Sequence, residues 1–302
     1  MLKRTITGFF ILLFVVGFTA LREVSILFFD ALVLTLMYGA VIEIAQANKV
    51  ANKQTNKIVL AVYPVLLTLI YILSSSVLMS FALQIALALI AFCFLMAKEL
   101  ITHAINRKNG TTIENIDELN ASLLNETKNT MMVLAYPTTL LGFLMGLNHL
   151  GLEVGYVLII LTFAVSMMTD VFAYLFGSLI KGPKMAPEIS PKKSISGMIC
   201  GALGGIIASG LGYLLFVTFG YFNAFCNIDN GILITLFVLV GVVGTFLTQF
   251  GDLVASAYKR KVGIKDFGSI FPGHGGFMDR VDGLMFTGSW IYVVYIFLTL
   301  LI

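Results

Sequence analysis

Charge is what this chain is short of. Only 12% of its 302 residues are Asp, Glu, Lys or Arg, where a soluble domain averages about 25%. That deficit excludes a protein whose surface is mostly wetted by water. Cysteine is also scarce: Cys93, Cys200 and Cys226 stand far apart and none belongs to a CxxC. A disulfide framework and a zinc site are therefore not expected. Of the three His, His103 and His149 stand alone at the ends of apolar runs. There is no G-x-x-x-x-G-K-[ST] loop, which argues against an ordinary P-loop ATPase, and no Ser-His-Asp or Cys-His pattern announces a nucleophile. The formal net charge of +3 is too small to point to nucleic acid.

What fills the chain instead is apolar. It is 59% hydrophobic, with a mean hydropathy of +0.97. A spanning helix needs about 20 mostly apolar residues. Nine segments qualify, near 5–21, 25–45, 58–75, 77–97, 131–148, 154–176, 198–219, 232–250 and 284–302. The first follows Lys3 and Arg4 like a signal peptide. However, it lacks a clean small-x-small cleavage site and a second apolar run begins at once, so it reads as a retained helix. If the N-terminus is cytoplasmic and all nine segments cross, every Lys and Arg except Arg22 falls on the inner side, 18 of 19. That is the positive-inside pattern at nearly full strength. The expected fold is an all-α polytopic membrane protein of the inner (cytoplasmic) membrane, with about nine transmembrane helices and its C-terminus outside. Residues 1–130 form its N-terminal helices and 131–302 a catalytic membrane domain.

Gly197, Gly201, Gly205 and Ser209 recur every four residues and predict close helix packing; Gly142 with Gly146 is a weaker instance. In the longest polar stretch, 98–130, Thr111 with Glu114 fits a capping box. Ile113, Ile116, Leu119 and Leu123 then share a face, which predicts a short amphipathic helix near 111–124 lying on the inner surface.

The chemistry-bearing residues gather at the cytoplasmic ends of the later segments. Carrying the helix on past Phe250 puts Asp252, Ser256, Lys259 and Arg260 in one polar stripe, able to hold a metal ion and a polyphosphate together. Gly273, Gly275 and Gly276 surround His274 and predict a tight turn whose N–H groups bind an anion. Asp279 and Asp282, three apart with Arg280 near, predict two adjacent carboxylates that call for a cation between them. Asp170 sits inside the edge of its segment, followed by a loop with Lys192, Lys193 and Ser194. Asp30 and Glu43 are further acids in an apolar run, with no partner readable from sequence.

The stretch 256–282 resembles the signature of the phosphatidate cytidylyltransferases, also called CDP-diacylglycerol synthases. Ser256, Lys259, Arg260, Lys265, Asp266, Gly268, Phe271, Pro272, His274, Gly275, Gly276, Phe277, Asp279, Arg280 and Asp282 fill it in register, and Tyr258 is the one departure. Asp170 to Gly177 and Ser190 to Ser194 are similar to a second stretch of that family, with Ser194 where Thr is common and Ile195 where Trp is common. The opening Leu2 to Thr7 is similar to the family's start.

The resemblance implies that CTP and phosphatidate react to give CDP-diacylglycerol and pyrophosphate. It implies Mg2+ on Asp279 and Asp282 with Asp252, a second cation, even a monovalent one, being allowed. Lys259, Arg260 and Lys265 would clamp the triphosphate. Ser256 and the turn of His274, Gly275 and Gly276 would fix phosphate oxygens, with Arg280 beside them. Lys192, Lys193 and Ser194 would receive the lipid headgroup or help with CTP, Asp170 and Asp266 are further site candidates, and the analogy suggests a homodimer. A CTP-dependent polyprenol kinase, a cytidylyltransferase for another lipid phosphate and a secondary transporter remain as alternatives.

Overall fold

A computed structural model describes residues 2–108, 113–218, 228–273 and 275–301. Each of the nine expected segments falls on a helix among the described residues. They are α1 (Leu2–Leu21), α2 (Ile26–Val50), α3 (Lys57–Leu73), α4 (Val77–Lys108), the rod made of α5 (Ile113–Val133) and α6 (Leu140–Asn148), α7 (Leu152–Ile180), α8 (Ile195–Tyr213), α9 (Asn230–Val262) and α11 (Leu284–Leu301), the last preceded by the single turn α10 (Met278–Val281). In lipid every backbone N–H and C=O must be satisfied within its own segment, so long apolar runs become helices. Six of these helices are long and apolar enough to cross a membrane, while α3 and the described part of α11 are shorter apolar helices. Among the described residues the departures from helix are one antiparallel hairpin, β1 (Lys184–Ala186) with β2 (Ser190–Ser194), and a lone bridge between Phe271 and Gly275.

Several helices overrun their apolar segments, and that overrun carries function. α9 continues past Phe250 to Val262 and ends at Gly263, whose φ of 78° is the left-handed cap that glycine adopts freely. Lys259, Arg260 and Lys261 fill its last turn, where cations complement the helix C-terminus.

The amphipathic stretch is helical and longer than expected, running from Ile113 to Val133. A π-helical segment, Leu134–Thr139, joins α5 to α6, with a kink at Tyr136. Pro137 explains the break. It has no N–H and pushes the residue before it out of the helical region; Tyr136 accordingly sits at φ −134°, ψ 109°. Thr111 of the capping box lies outside the described residues, as does Cys226.

The glycine stripe packs as expected. A Cβ on Gly201 would come within 2.9 Å of the Thr169 carbonyl and 3.1 Å of Gln249 Nε2, and one on Gly204 within 2.6 Å of the Met168 carbonyl. Gly205 has Thr169 and Thr245 against it, and those two hydroxyls bond each other at 3.1 Å. α8 is thus wedged against the main chain of α7 and against the Thr245 and Gln249 side chains of α9.

At the opposite end of the bundle from α9's cationic turn, Arg22 is 1% exposed. Its guanidinium donates to Asn148 Oδ1 (2.6 Å) and to the carbonyls of Leu152, Asn148 and Gly151 (2.6, 2.9 and 2.8 Å). The one cation that breaks the charge asymmetry is therefore a buried staple. Asp30 finds its partners there too: His149 Nε2 and Asn148 Nδ2, each at 2.9 Å.

Candidate active site

Because α9 stays helical beyond its apolar part, Asp252, Ser256 and Lys259 share one of its faces. α10 and Asp282 run past that face in the opposite sense. Lys259 Nζ donates to Asp279 Oδ1 at 2.7 Å. Two turns back, Asp252 is the charge that bears most strongly on Asp282. The outcome is a ladder across two elements, Lys259 with Asp279 and Asp252 with Asp282. Gly251 makes it possible, since a Cβ there would collide with the Asp282 carbonyl and lie 2.6 Å from the Phe286 ring. β2 adds Lys193, whose Nζ pairs with Asp252 Oδ2 at 2.5 Å. α7 adds Asp170, exposed in the cleft, with Asp252, Lys193 and Arg280 as its charged neighbours.

The glycine turn is built as expected, but its donors point at the protein. Gly273 and Gly275 take φ of 79° and 80°, open to glycine and strained for other residues, and the Phe271 N–H donates to the Gly275 carbonyl at 2.9 Å. The N–H groups of Phe267 and Gly276 both donate to Asp279 Oδ2 at 3.0 Å. Those of Phe277 and Met278 donate to Glu43 Oε1 (3.0 Å) and Oε2 (2.9 Å), across from α2. A methyl on Gly268 or Gly276 would run into the Glu43 carboxylate. The Gly276 N–H, and those of Phe277 and Met278 just after the turn, are thus taken by resident carboxylates.

Asp279 is fully engaged, with Lys259 on one oxygen and two N–H groups on the other, and its side chain is only 5% exposed. Asp282 differs: its Oδ1 accepts the N–H of Gly283 at 2.9 Å and it faces other acids. Burial first, then the Asp252 charge, push its carboxyl up to about 8, with Lys259 pulling only partly back. Among the described residues no three acids, His or Cys close around one point, so Asp252, Asp279 and Asp282 are not gathered as a trio. Mg2+ does not require that. It usually takes one or two carboxylates and completes its shell with phosphate oxygens and water. Asp252 and Asp282 are carboxylates of the kind that fits such an ion, and Asp279, already bonded on both oxygens, is better suited to holding the turn.

The other expected site residues divide. Ser256 is buried one turn from Asp252. Lys192, Lys265, Asp266 and Arg280 are exposed beside the ladder or on the loop that follows α9. Arg260 is turned away, its Nε donating to the Ile189 carbonyl at 3.3 Å and tying α9 to the hairpin. Ser194 caps α8, its hydroxyl accepting the Gly197 N–H at 3.1 Å. His274 lies outside the described residues. Two cavities stand apart from the acids: one of about 180 Å³ near His149, and a groove of about 870 Å³ on another face of α2, lined by Tyr38, Ile42 and Lys53 among others. Glu43 is the contributor that sequence reasoning left without a role; its only signal was an acid inside an apolar run.

The chain is 38% identical over 128 residues to a phosphatidate cytidylyltransferase of Staphylococcus saprophyticus, a stretch amounting to 42% of this chain and 45% of that protein. It is 41% identical over 128 residues to one of Staphylococcus haemolyticus, with the same coverage. It is 34% identical over 171 residues to one of Aquifex aeolicus, 57% of this chain and 58% of that protein. The chain thus spans about half the length of the curated relatives it matches. The Cytidylyltransferase family model is broader and matches residues 2–298, nearly end to end; the chain belongs to that family.

Proposed function

We propose that this protein is a phosphatidate cytidylyltransferase. A phosphate oxygen of phosphatidate attacks the α-phosphorus of CTP, the bond from that phosphorus to the β-phosphate oxygen breaks, and CDP-diacylglycerol and pyrophosphate form. The observation that carries the reading is the ladder of Asp252 with Asp282 and Lys259 with Asp279, placed where the family signature lies. Both substrates are anions, so the barrier is one of charge and position. Lys193 and Lys259 are the cations nearest the acids; they would offset the triphosphate, with Lys192, Lys265 and Arg280 around them and Ser256 offering a hydroxyl. Asp279 and Glu43 hold the turn that presents Asp282. Asp252 and Asp282 would hold Mg2+, which when bound supplies charge neutralisation for the leaving pyrophosphate. Phosphatidate is ionised at neutral pH, so the lipid needs no strong base.

Nine crossings, a cytoplasmic N-terminus and a site facing the cytoplasm of the inner membrane follow from the cation asymmetry. Acyl chains would remain in the bilayer beside the exposed apolar faces. A homodimer is proposed by analogy alone. The catalytic part is read as 131–302, with Glu43 reaching into it from 1–130.

Purified protein given CTP, phosphatidate and Mg2+ should release pyrophosphate and form liponucleotide in equal amounts. Release of CDP would make it a kinase, and no cytidine-linked lipid would end the proposal.

A second expectation concerns pH. The folded carboxyl of Asp282 titrates near 8, above its ordinary range. Its contribution to stability is fully present below about pH 4 and is lost as pH rises through about 8. In the metal-free protein the melting temperature should sag over that window from this cause. A divalent ion must displace the proton before it binds. The rise in melting temperature on adding Mg2+ should therefore be larger at about pH 9 than at about pH 6, and equal rises would count against Asp282 as a ligand.

A further inference from the structure

We propose that Tyr136 is a substrate-contacting residue, its phenol donating a hydrogen bond to a phosphate oxygen held beside Asp252 and Asp282. The inference rests on the reaction proposed above only for what that phosphate belongs to.

Three observations converge on this residue. The first is the backbone. Tyr136 is the non-helical residue at the kink between α5 and α6, displaced by Pro137 behind it. Its ring is buried and packs 6.0 Å from that of Phe286, in the first turn of α11 directly after the ladder.

The second is the hydroxyl, which is buried and has no hydrogen-bond partner. A buried phenol normally finds one, because leaving it unpaired is costly. Other buried tyrosines here obey that rule. Tyr71 donates to Gln84 at 2.5 Å and Tyr258 to Asn48 at 2.5 Å, while Tyr292 meets Ser80 at 3.0 Å and Tyr63 meets Thr139 at 3.2 Å. A structural tyrosine would have been satisfied in the same way.

The third is the surroundings. The charged neighbours of Tyr136 are Asp282, Asp252 and Asp279, all three acids of the signature, yet its hydroxyl bonds to none of them. A neutral donor thus lies among the acids of the proposed site and is left unspent by the protein. A group of this kind, fixed in advance and short of one acceptor, stabilises charge on an incoming oxygen without reorganising. Lysines cannot do the same from this side, since a buried ammonium would pair with the acids outright, as Lys259 does with Asp279.

Tyr136→Phe deletes one oxygen and keeps the ring. The ligand-free variant should melt at the same temperature as the native protein or slightly above it, because no bond is lost. Its kcat/KM should fall about ten- to a hundredfold, the worth of one hydrogen bond to a charged group, and the melting-temperature rise produced by ligand should shrink. Two arms identify the acceptor. A smaller rise with CTP and Mg2+ places it on the nucleotide, and a smaller rise with phosphatidate in detergent places it on the lipid. A variant whose kcat/KM and ligand-induced rises stay within about twofold of native overturns the proposal. So does a ligand-free melting temperature several degrees lower, which would reveal a structural role. Should the native protein make no CDP-diacylglycerol while its stabilisation by CTP still depends on this hydroxyl, the reaction is wrong and the contact stands.

Discussion

Asp282→Asn should lower turnover by at least about a hundredfold, in line with the loss of a principal electrostatic element from a preorganised site. Two properties of Asp282 set that size. Asp252 is the charge that bears most on it, and in the proposed site the two would hold a cation together; an amide has no charge to offer one. Its hydrogen bond from the Gly283 N–H can also be kept by the Asn carbonyl oxygen. Stability should therefore move the other way. Removing one of two repelling carboxylates should leave the ligand-free protein as stable as before or more so, and the stabilisation by Mg2+ should disappear. Activity within a few-fold of native would remove Asp282 from the proposed ligand pair. Asp279→Asn should behave differently, because its oxygens are taken by Lys259, Phe267 and Gly276. Its variant should lose stability along with activity.

Glu43→Ala should be the most damaging change outside the signature. Both carboxylate oxygens accept backbone N–H groups, from Phe277 and Met278, in a place where water is largely excluded. Truncation orphans both donors, each at a cost of about 1–3 kcal/mol, and opens the space into which Gly268 and Gly276 are packed. We expect a loss of roughly 2–6 kcal/mol and activity too low to measure, because the turn that presents Asp279 and Asp282 would no longer be held. Glu43→Gln keeps one acceptor and should fall between. Thermal unfolding in detergent and the pyrophosphate assay together check this; an alanine variant that melts within a degree of native would show that α2 does not brace the turn.

The fold was largely legible, because the bilayer leaves a chain few options. Long apolar runs had to be helices, and all nine are. The face shared by Asp252, Ser256 and Lys259 could also be read, since helical periodicity persists where hydropathy stops. What escaped reading was whatever depends on which element packs on which. Glu43 and Met278 are 235 residues apart in sequence, and no local pattern ties them. Asp279 and Asp282 look alike as letters, yet one is saturated by its neighbours and the other faces a second acid. Arg260 fits the stripe by spacing, but the hairpin that claims it forms from a loop with no alternating apolar pattern. The turn at 273–276 was readable as an anion nest, but its resident anions come from elsewhere in the chain. Pro137 was the visible mark of the break at Tyr136, though a proline alone does not say what its predecessor will face.

The glycine seam between α7, α8 and α9 acts as a set of gauge blocks. Asp170 and Asp252 ride on two of these helices, with α8 between them, set against the α7 main chain at Gly201 and Gly204 and against Thr245 of α9 at Gly205. A side chain can swing to suit a visitor, but a main-chain spacer cannot. The spacing of the acids carried by α7 and α9 is then machined as the bundle assembles, before any ligand arrives.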